Sequence, residues 1–195
     1  MRNRLILAAM AATLLGGCAT RVSPVEVTRF HLGQPIGPAA VSVGLALNAP
    51  MGVEEGAYIA AVERELARQG FSVVRDPTSA SLIADVAVER GYRSGPPQRP
   101  PVSIGIGGGS FGGNVGVGGG IGFGLGGARS GEITITQLSV RLKRRAAEEV
   151  VWEGRARAEA RRGTPNAQPG LAADKLARAL FTGFPGESGR TINVP

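Results

Sequence analysis

Between Val102 and Ala128 no residue is charged, and glycine fills more than half of the positions from Ile104 to Gly127. A stretch of this kind buries little apolar surface and loses the most backbone freedom on ordering. A packed core therefore has to come from the sequence on either side of it. Three readings of the tract itself compete. In water a helix is disfavoured, since each glycine costs about 1 kcal/mol against alanine. Within a bilayer the spacings Gly116 to Gly120 and Gly120 to Gly124 would let helices pack closely, which leaves a membrane or self-association element open. The apolar residues, however, alternate with glycine at Ile104/Ile106, Val115/Val117 and Ile121/Phe123/Leu125, and Gly113-Asn114 suits a turn. The tract is read as a flexible extended hairpin or loop, with Phe111 as its possible contact residue.

Two motif matches inside the tract follow from composition. Gly108 to Gly112 reads Gly-x-Ser-x-Gly around Ser110, but no histidine follows to act as base. Gly107 to Gly112 fits Gly-x-Gly-x-x-Gly, yet no helix begins there to present its N-terminus to a phosphate.

The amino terminus has the order of a secretory signal: Arg2 and Arg4, an uncharged run from Leu5 to Leu15, then Gly16-Gly17. That run is well short of the roughly 20 residues that span a bilayer as a helix. Leu15-Gly16-Gly17-Cys18 resembles the lipobox of bacterial lipoproteins, whose cysteine thiol is alkylated with diacylglycerol before cleavage. Only a thiol is nucleophilic enough to form that thioether. Each buried methylene contributes about 0.8 kcal/mol, so two or three chains hold a protein on a membrane. Cys18 is the only cysteine in the chain. By resemblance to the enteric sorting rule, Ala19 rather than Asp points to the outer membrane, facing the periplasm. Residues 1–17 are thus read as signal peptide, 18–24 as a lipidated tether, and 25–195 as one domain with a Pro/Gly-rich insertion over 93–130.

Composition bounds the rest. The mature chain of about 178 residues is long enough for one real core. Losing Arg2 and Arg4 takes its charge from +7 to +5, which suits an anionic lipid surface or an envelope protein. Nucleic acid is not expected as a partner of an exported chain poor in aromatics. With Cys18 acylated no thiol remains, and His31 is the only histidine. Cysteine nucleophiles, disulfides and His- or Cys-built metal sites drop out together. No metal and no cofactor is expected beyond the acyl chains on Cys18.

Strand character is read at Val25 to Leu32, Ala40 to Leu47, Phe71 to Val74, Leu82 to Glu89, Glu132 to Lys143 and Val150 to Ala160. In the last, Val150, Trp152, Ala156 and Ala158 alternate with Glu149, Glu153, Arg155, Arg157 and Glu159, the pattern of a half-buried strand. Helical period appears from Val53 to Gln69, with Ile59, Val62 and Leu66 on one face and Gly70 at the C-cap, and again from Leu171 to Phe181. The expected fold is α+β: an antiparallel sheet of about five to six strands, two helices packed on one face, and a Gly-rich insertion. If the last two long strands pair, Arg141, Lys143, Arg155 and Arg157 form a basic contact surface. Asp85 and Glu89, Glu148-Glu149 and His31 are read as solvated or structural groups rather than acid–base machinery, and Trp152 as a core aromatic.

The segment Val150-Val151-Trp152-Glu153-Gly154-Arg155-Ala156, followed by a helix ending Leu180-Phe181-Thr182-Gly183-Phe184-Pro185-Gly186-Glu187-Ser188-Gly189, resembles lipoproteins carrying domain of unknown function 4136. The resemblance spans Val25 to Val194 and its specific part is the last 45 or so residues. It implies an envelope location and an α+β fold, and it implies no catalytic residues. The expectation is a non-catalytic, lipid-anchored domain that binds or organises something at the outer membrane. The alternatives are a small hydrolase of envelope polymers using unpaired carboxylates, and homo-oligomeric self-assembly through the glycine tract.

Overall fold

Apolar alternation on both sides of the tract is gathered into one sheet in the computed structural model, which describes residues 23–46, 52–97 and 130–195. In chain order the elements are β1 (Val25–His31), β2 (Ala40–Leu45), α1 (Val53–Arg68), β3 (Ser72–Val73), β4 (Leu82–Pro97), β5 (Ser130–Arg144), β6 (Glu149–Arg161), α2 (Pro169–Phe181) and β7 (Thr191–Val194). The seven strands lie in the order β3-β2-β4-β5-β6-β1-β7. The α+β class and the two helices stand, but an antiparallel sheet of five to six strands does not. β2 pairs in parallel with both β3 and β4, because α1 carries the chain back along the sheet and delivers the next strand in the same direction. The unforeseen seventh strand, β7, has four residues on the far side of β1, too few for a period to show. β4 also runs on to Pro97 and β5 starts at Ser130, so cross-strand pairing reaches into the stretch read as insertion.

Both helices cover the same face. From the strands Val25, Val27, Val41, Val86, Leu138, Val140, Leu142 and Trp152 meet Val62 and Leu66 of α1 and Leu176, Leu180 and Phe181 of α2, all 0% exposed. Each fully buried leucine here contributes about 1.5–3 kcal/mol. The buried face of α1 is Tyr58, Ala61, Val62, Glu65 and Leu66, so Ile59 sits at its margin rather than its centre. The helix ends in a Schellman motif: Phe71 N–H donates to Leu66 O at 3.1 Å and Gly70 N–H to Ala67 O at 3.0 Å. That closure needs the left-handed φ of +91° that Gly70 supplies.

β6 departs from uniform alternation at one point. Leu142 pairs with Trp152 and Lys143 with Val150, leaving Val151 as an extra residue in a β-bulge. Val150 is therefore turned outward, 37% exposed, and Val151 is buried, the reverse of the even pattern read from sequence. Trp152 and Ala156 face the core as expected.

The resemblance motif turns out to be a packing device. Trp152 stacks on Phe181 at 5.5 Å and meets Phe184 at 5.2 Å, while Phe184 meets Phe71 edge-on at 5.8 Å. The indole Nε1–H donates to Pro185 O at 3.0 Å. A Cβ on Gly154 would lie 2.4 Å from the Trp152 ring and 2.8 Å from Leu180, so the glycine two residues after the tryptophan makes room for the indole. Beside this cluster Arg29, 4% exposed, closes the carboxyl end of α2. Its Nε donates to Leu180 O at 2.9 Å, and its Nη2 to Ala179 O at 3.0 Å and Thr182 O at 2.8 Å. A cation placed on the orphan carbonyls of a helix end meets the negative pole of its dipole. His31 is also structural: Nδ1 accepts from Gly33 N–H and Nε2 donates to Gly186 O, each at 3.1 Å.

A local titration can be read from the turn before β4. Asp76 caps the short 3₁₀ helix Pro77–Ser79, accepting from Thr78 N–H at 2.9 Å and from the Thr78 hydroxyl at 2.7 and 2.8 Å. The hydroxyl, then the amide, holds the Asp76 carboxyl below its ordinary 3.8. Because the folded-state value is depressed, the cap's contribution is present above the ordinary carboxylate range and is lost as pH falls through the lowered value. Thr78→Val is expected to raise the Asp76 titration midpoint toward 3.8, read by carboxyl-carbon NMR. An unmoved midpoint would show that the hydroxyl is not the cause.

Candidate functional site

The face of the sheet opposite the helices receives the side chains singled out on the hairpin. Arg141 and Lys143 of β5 and Arg155 and Arg157 of β6 share this face. Lys143 binds Asp85 at 2.7 Å, Arg155 binds Glu153 at 2.6 Å, and Arg157 lies 3.3 Å from Glu159 and 3.7 Å from Glu26. Arg93 of β4 binds Glu159 at 2.5 Å. Among the described residues Arg141 alone of the four has no ion pair; its register neighbours are Asp85 and Glu153. The surface is thus a lattice of alternating charge, whose long-range field largely cancels. Asp85 and Glu89 stand four residues apart on one strand, roughly 13 Å. Glu89 accepts from Gln137 at 3.5 Å, so each carboxylate is engaged with its own neighbour. Cys18 with Leu15, Gly16 and Gly17, and Phe111 with the rest of the glycine tract, lie outside the described residues.

A second surface emerges where β4 and β5 outrun the helices. Inward positions along β4 read Ala84, Val86, Val88, Arg90 and Tyr92: apolar under the helices, polar beyond them. There the 3₁₀ turn Pro165–Ala167 and the start of α2 close over the sheet, leaving a cleft of about 280 Å³ lined by Arg90, Tyr92, Thr134, Arg162, Gln168 and Pro169 among others. Arg90 binds Glu54 at 2.5 Å and its Nη2 donates to the Tyr58 hydroxyl at 3.4 Å, but its buried Nε–H meets no acceptor among the described residues. Burial pushes the Tyr58 hydroxyl up from its ordinary 10.0, so it remains a neutral partner. Arg162 pairs with Glu132, which pushes its guanidinium further up, and lies 5.7 Å over the Tyr92 ring. Thr134, 4% exposed, lines the same cleft.

α2 contributes its N-terminus to this cleft. Gln168 makes no side-chain cap and Pro169 occupies the first turn. The backbone N–H groups of Gly170 and Leu171 are thus unengaged by a cap, at the positive pole of the helix dipole. The Arg90 and Arg162 guanidinium donors and an exposed aromatic ring suit an oxyanion ligand. Among the described residues no group of three or more His, Cys, Asp or Glu comes together, and no helix is long and apolar enough to cross a membrane. Neither Arg90 nor Thr134 stood out in the sequence. The available signal was the switch from apolar to polar along the inward parity of β4 and β5.

Position completes the site. Glu26 pairs with Arg157, so β1 begins at the end of the sheet where Ala160, Thr134 and Tyr92 stand in register. Ser23, which precedes it, accepts a hydrogen bond through its carbonyl from Lys175 of α2. Ser23, the cleft and the pairing of Pro97 with Ser130 therefore share one end.

The model of the family described as domain of unknown function (DUF4136) matches residues 47–186. An uncharacterized protein of Zymomonas mobilis subsp. mobilis is 37% identical over 214 residues, covering 88% of this chain and 80% of that protein. Among solved structures, the PelC dodecamer of Paraburkholderia phytofirmans in two crystal forms gives TM-scores of 0.46 and 0.45 at 15% and 13% identity, covering 78% of this chain and 91% of that one. A PDZ domain protein from Parabacteroides distasonis gives 0.47 at 12% identity, covering 98% of this chain and 42% of that one.

Proposed function

We propose, for a chain that belongs to the DUF4136 family, a non-catalytic binding role at the outer membrane, performed by a domain anchored through acyl chains on Cys18 and facing the periplasm. The observation that carries this reading is the shared end: the residue that leaves the sheet toward Cys18 departs beside the cleft that offers unengaged donors. A binding site there sits at the surface to which the tether leads. The engagement of His31 at both ring nitrogens, and of Asp85 and Glu89 with separate neighbours, supports binding over acid–base chemistry.

Growth with an alkyne fatty acid, followed by tagging and membrane fractionation, tests the anchor. Wild-type protein is expected to carry label and to sediment with the outer membrane. Cys18→Ala is expected to lose all label and to retain the signal, running larger on a gel by about 17 residues. Equal labelling of the two would end the lipoprotein reading. Ala19→Asp is expected to move the protein to the inner membrane without changing its label.

A further inference from the structure

We propose that the cleft under Tyr92 binds the phosphate of an anionic phospholipid headgroup, so that the domain is held on the bilayer by a specific contact as well as by its acyl chains. This deepens the anchored-binding reading and rests on it.

Reach comes first. Ser23 stands five positions after Cys18, and an extended chain spans at most about 3.3–3.6 Å per residue, roughly 18 Å in all. The end of the sheet that holds Ser23, Thr134 and Tyr92 therefore cannot stray far from the headgroups. Tyr92 is 58% exposed there, with the apolar ring and polar tip that favour the membrane interface.

Chemistry comes second. The Arg90 Nε–H is buried without an acceptor among the described residues, a state that costs free energy until an oxygen arrives. Thr134, nine-tenths buried or more, and the Arg162 guanidinium line the same cleft. A phosphate offers several acceptor oxygens to this convergence. A volume of about 280 Å³ lies below the roughly 300–1,000 Å³ of ordinary small-molecule sites, and it suits a headgroup better than a nucleotide or a larger cofactor.

Charge sets the strength. Arg90 faces Glu54 and Arg162 faces Glu132, so the cleft is close to neutral and its pull on a dissolved anion is weak. Attachment to the bilayer changes this, because the acyl chains make headgroup contact an intramolecular event at high effective concentration. A weak site then suffices to orient the domain.

The full lipidated protein, purified in neutral-detergent micelles, would be titrated with short-chain phosphatidylglycerol, short-chain phosphatidylcholine and inorganic phosphate, with binding read by ³¹P line broadening. Saturable binding of phosphatidylglycerol, tighter than the other two, is expected. Arg162→Gln is expected to weaken it about fivefold and Glu132→Gln to strengthen it by a similar factor. Both sites are exposed enough to keep the fold, and a merely structural role would move the two variants in the same direction. Titrations that do not saturate, or variants that titrate like wild type, would overturn the site. Tighter binding of inorganic phosphate would overturn the lipid as its source. Loss of the Cys18 label with an intact titration would fail the anchor alone.

Discussion

Arg29→Met is expected to destabilise the domain by about 3–5 kcal/mol, a large share of the roughly 5–15 kcal/mol that holds an ordinary domain together. The substitution preserves much of the side chain's length and apolar stem while removing the donors. Ala179 O, Leu180 O and Thr182 O would then lose their partner at the end of α2, and a buried group left unpaired costs about 1–3 kcal/mol. Burial lowers the Arg29 guanidinium from its ordinary value, and the three carbonyls are what offset its desolvation. Arg29→Lys should recover only part of the loss, because one ammonium cannot reproduce a planar fork. Urea unfolding followed by Trp152 fluorescence gives the measurement; a midpoint equal to wild type for Arg29→Met would show that the carbonyls find other donors. Gly186 belongs to the same device: at φ +84° it leaves the space that Arg29 Nη1 fills, 2.5 Å from where a Cβ would stand.

Trp152→Ala is expected to cost about 3–5 kcal/mol. The indole is fully buried among Phe181 and Phe184, and its removal leaves a cavity where β6, α2 and the chain after α2 meet. Trp152→Phe should cost less, since it keeps aromatic packing and forfeits mainly the hydrogen bond to Pro185 O. Trp152 is the only tryptophan, so circular dichroism replaces fluorescence as the probe. A loss below about 1 kcal/mol would mean that Phe181 and Phe184 collapse into the vacated space. Both residues act on the end of α2, so the double variant should depart from additivity.

Legibility in the sequence followed the strength of each period. β5, β6 and both helices were readable because apolar residues recur over three or more cycles, as from Trp152 through Ala158. The parallel placement of β2 was not, since strand direction depends on where a crossover lands and no side-chain pattern records it. Val151 was misplaced because a bulge adds a residue without changing composition. Nothing in the strand pattern around Arg29 marks its role, which depends on a helix end about 150 positions later. The basic hairpin was brought together as expected, yet its acidic partners come from β1 and β4 as well as from β6 itself. The cleft stayed hidden because its residues come from β4, β5 and the segment between β6 and α2, which only the assembled sheet makes neighbours.

The placement of β1 between β6 and β7 sets an order of events. The strand synthesised first has no partner until β6 exists, more than 100 residues later, and its other edge waits for the final strand. Closing so long a loop is slow, because its entropy must be lost before the contacts it permits are formed. The segment from β2 to β5 can pair with itself in the meantime, and the last residues to emerge then capture the first. Truncation that removes β7 would accordingly strip one of the two neighbours of β1 and leave it held by β6 alone.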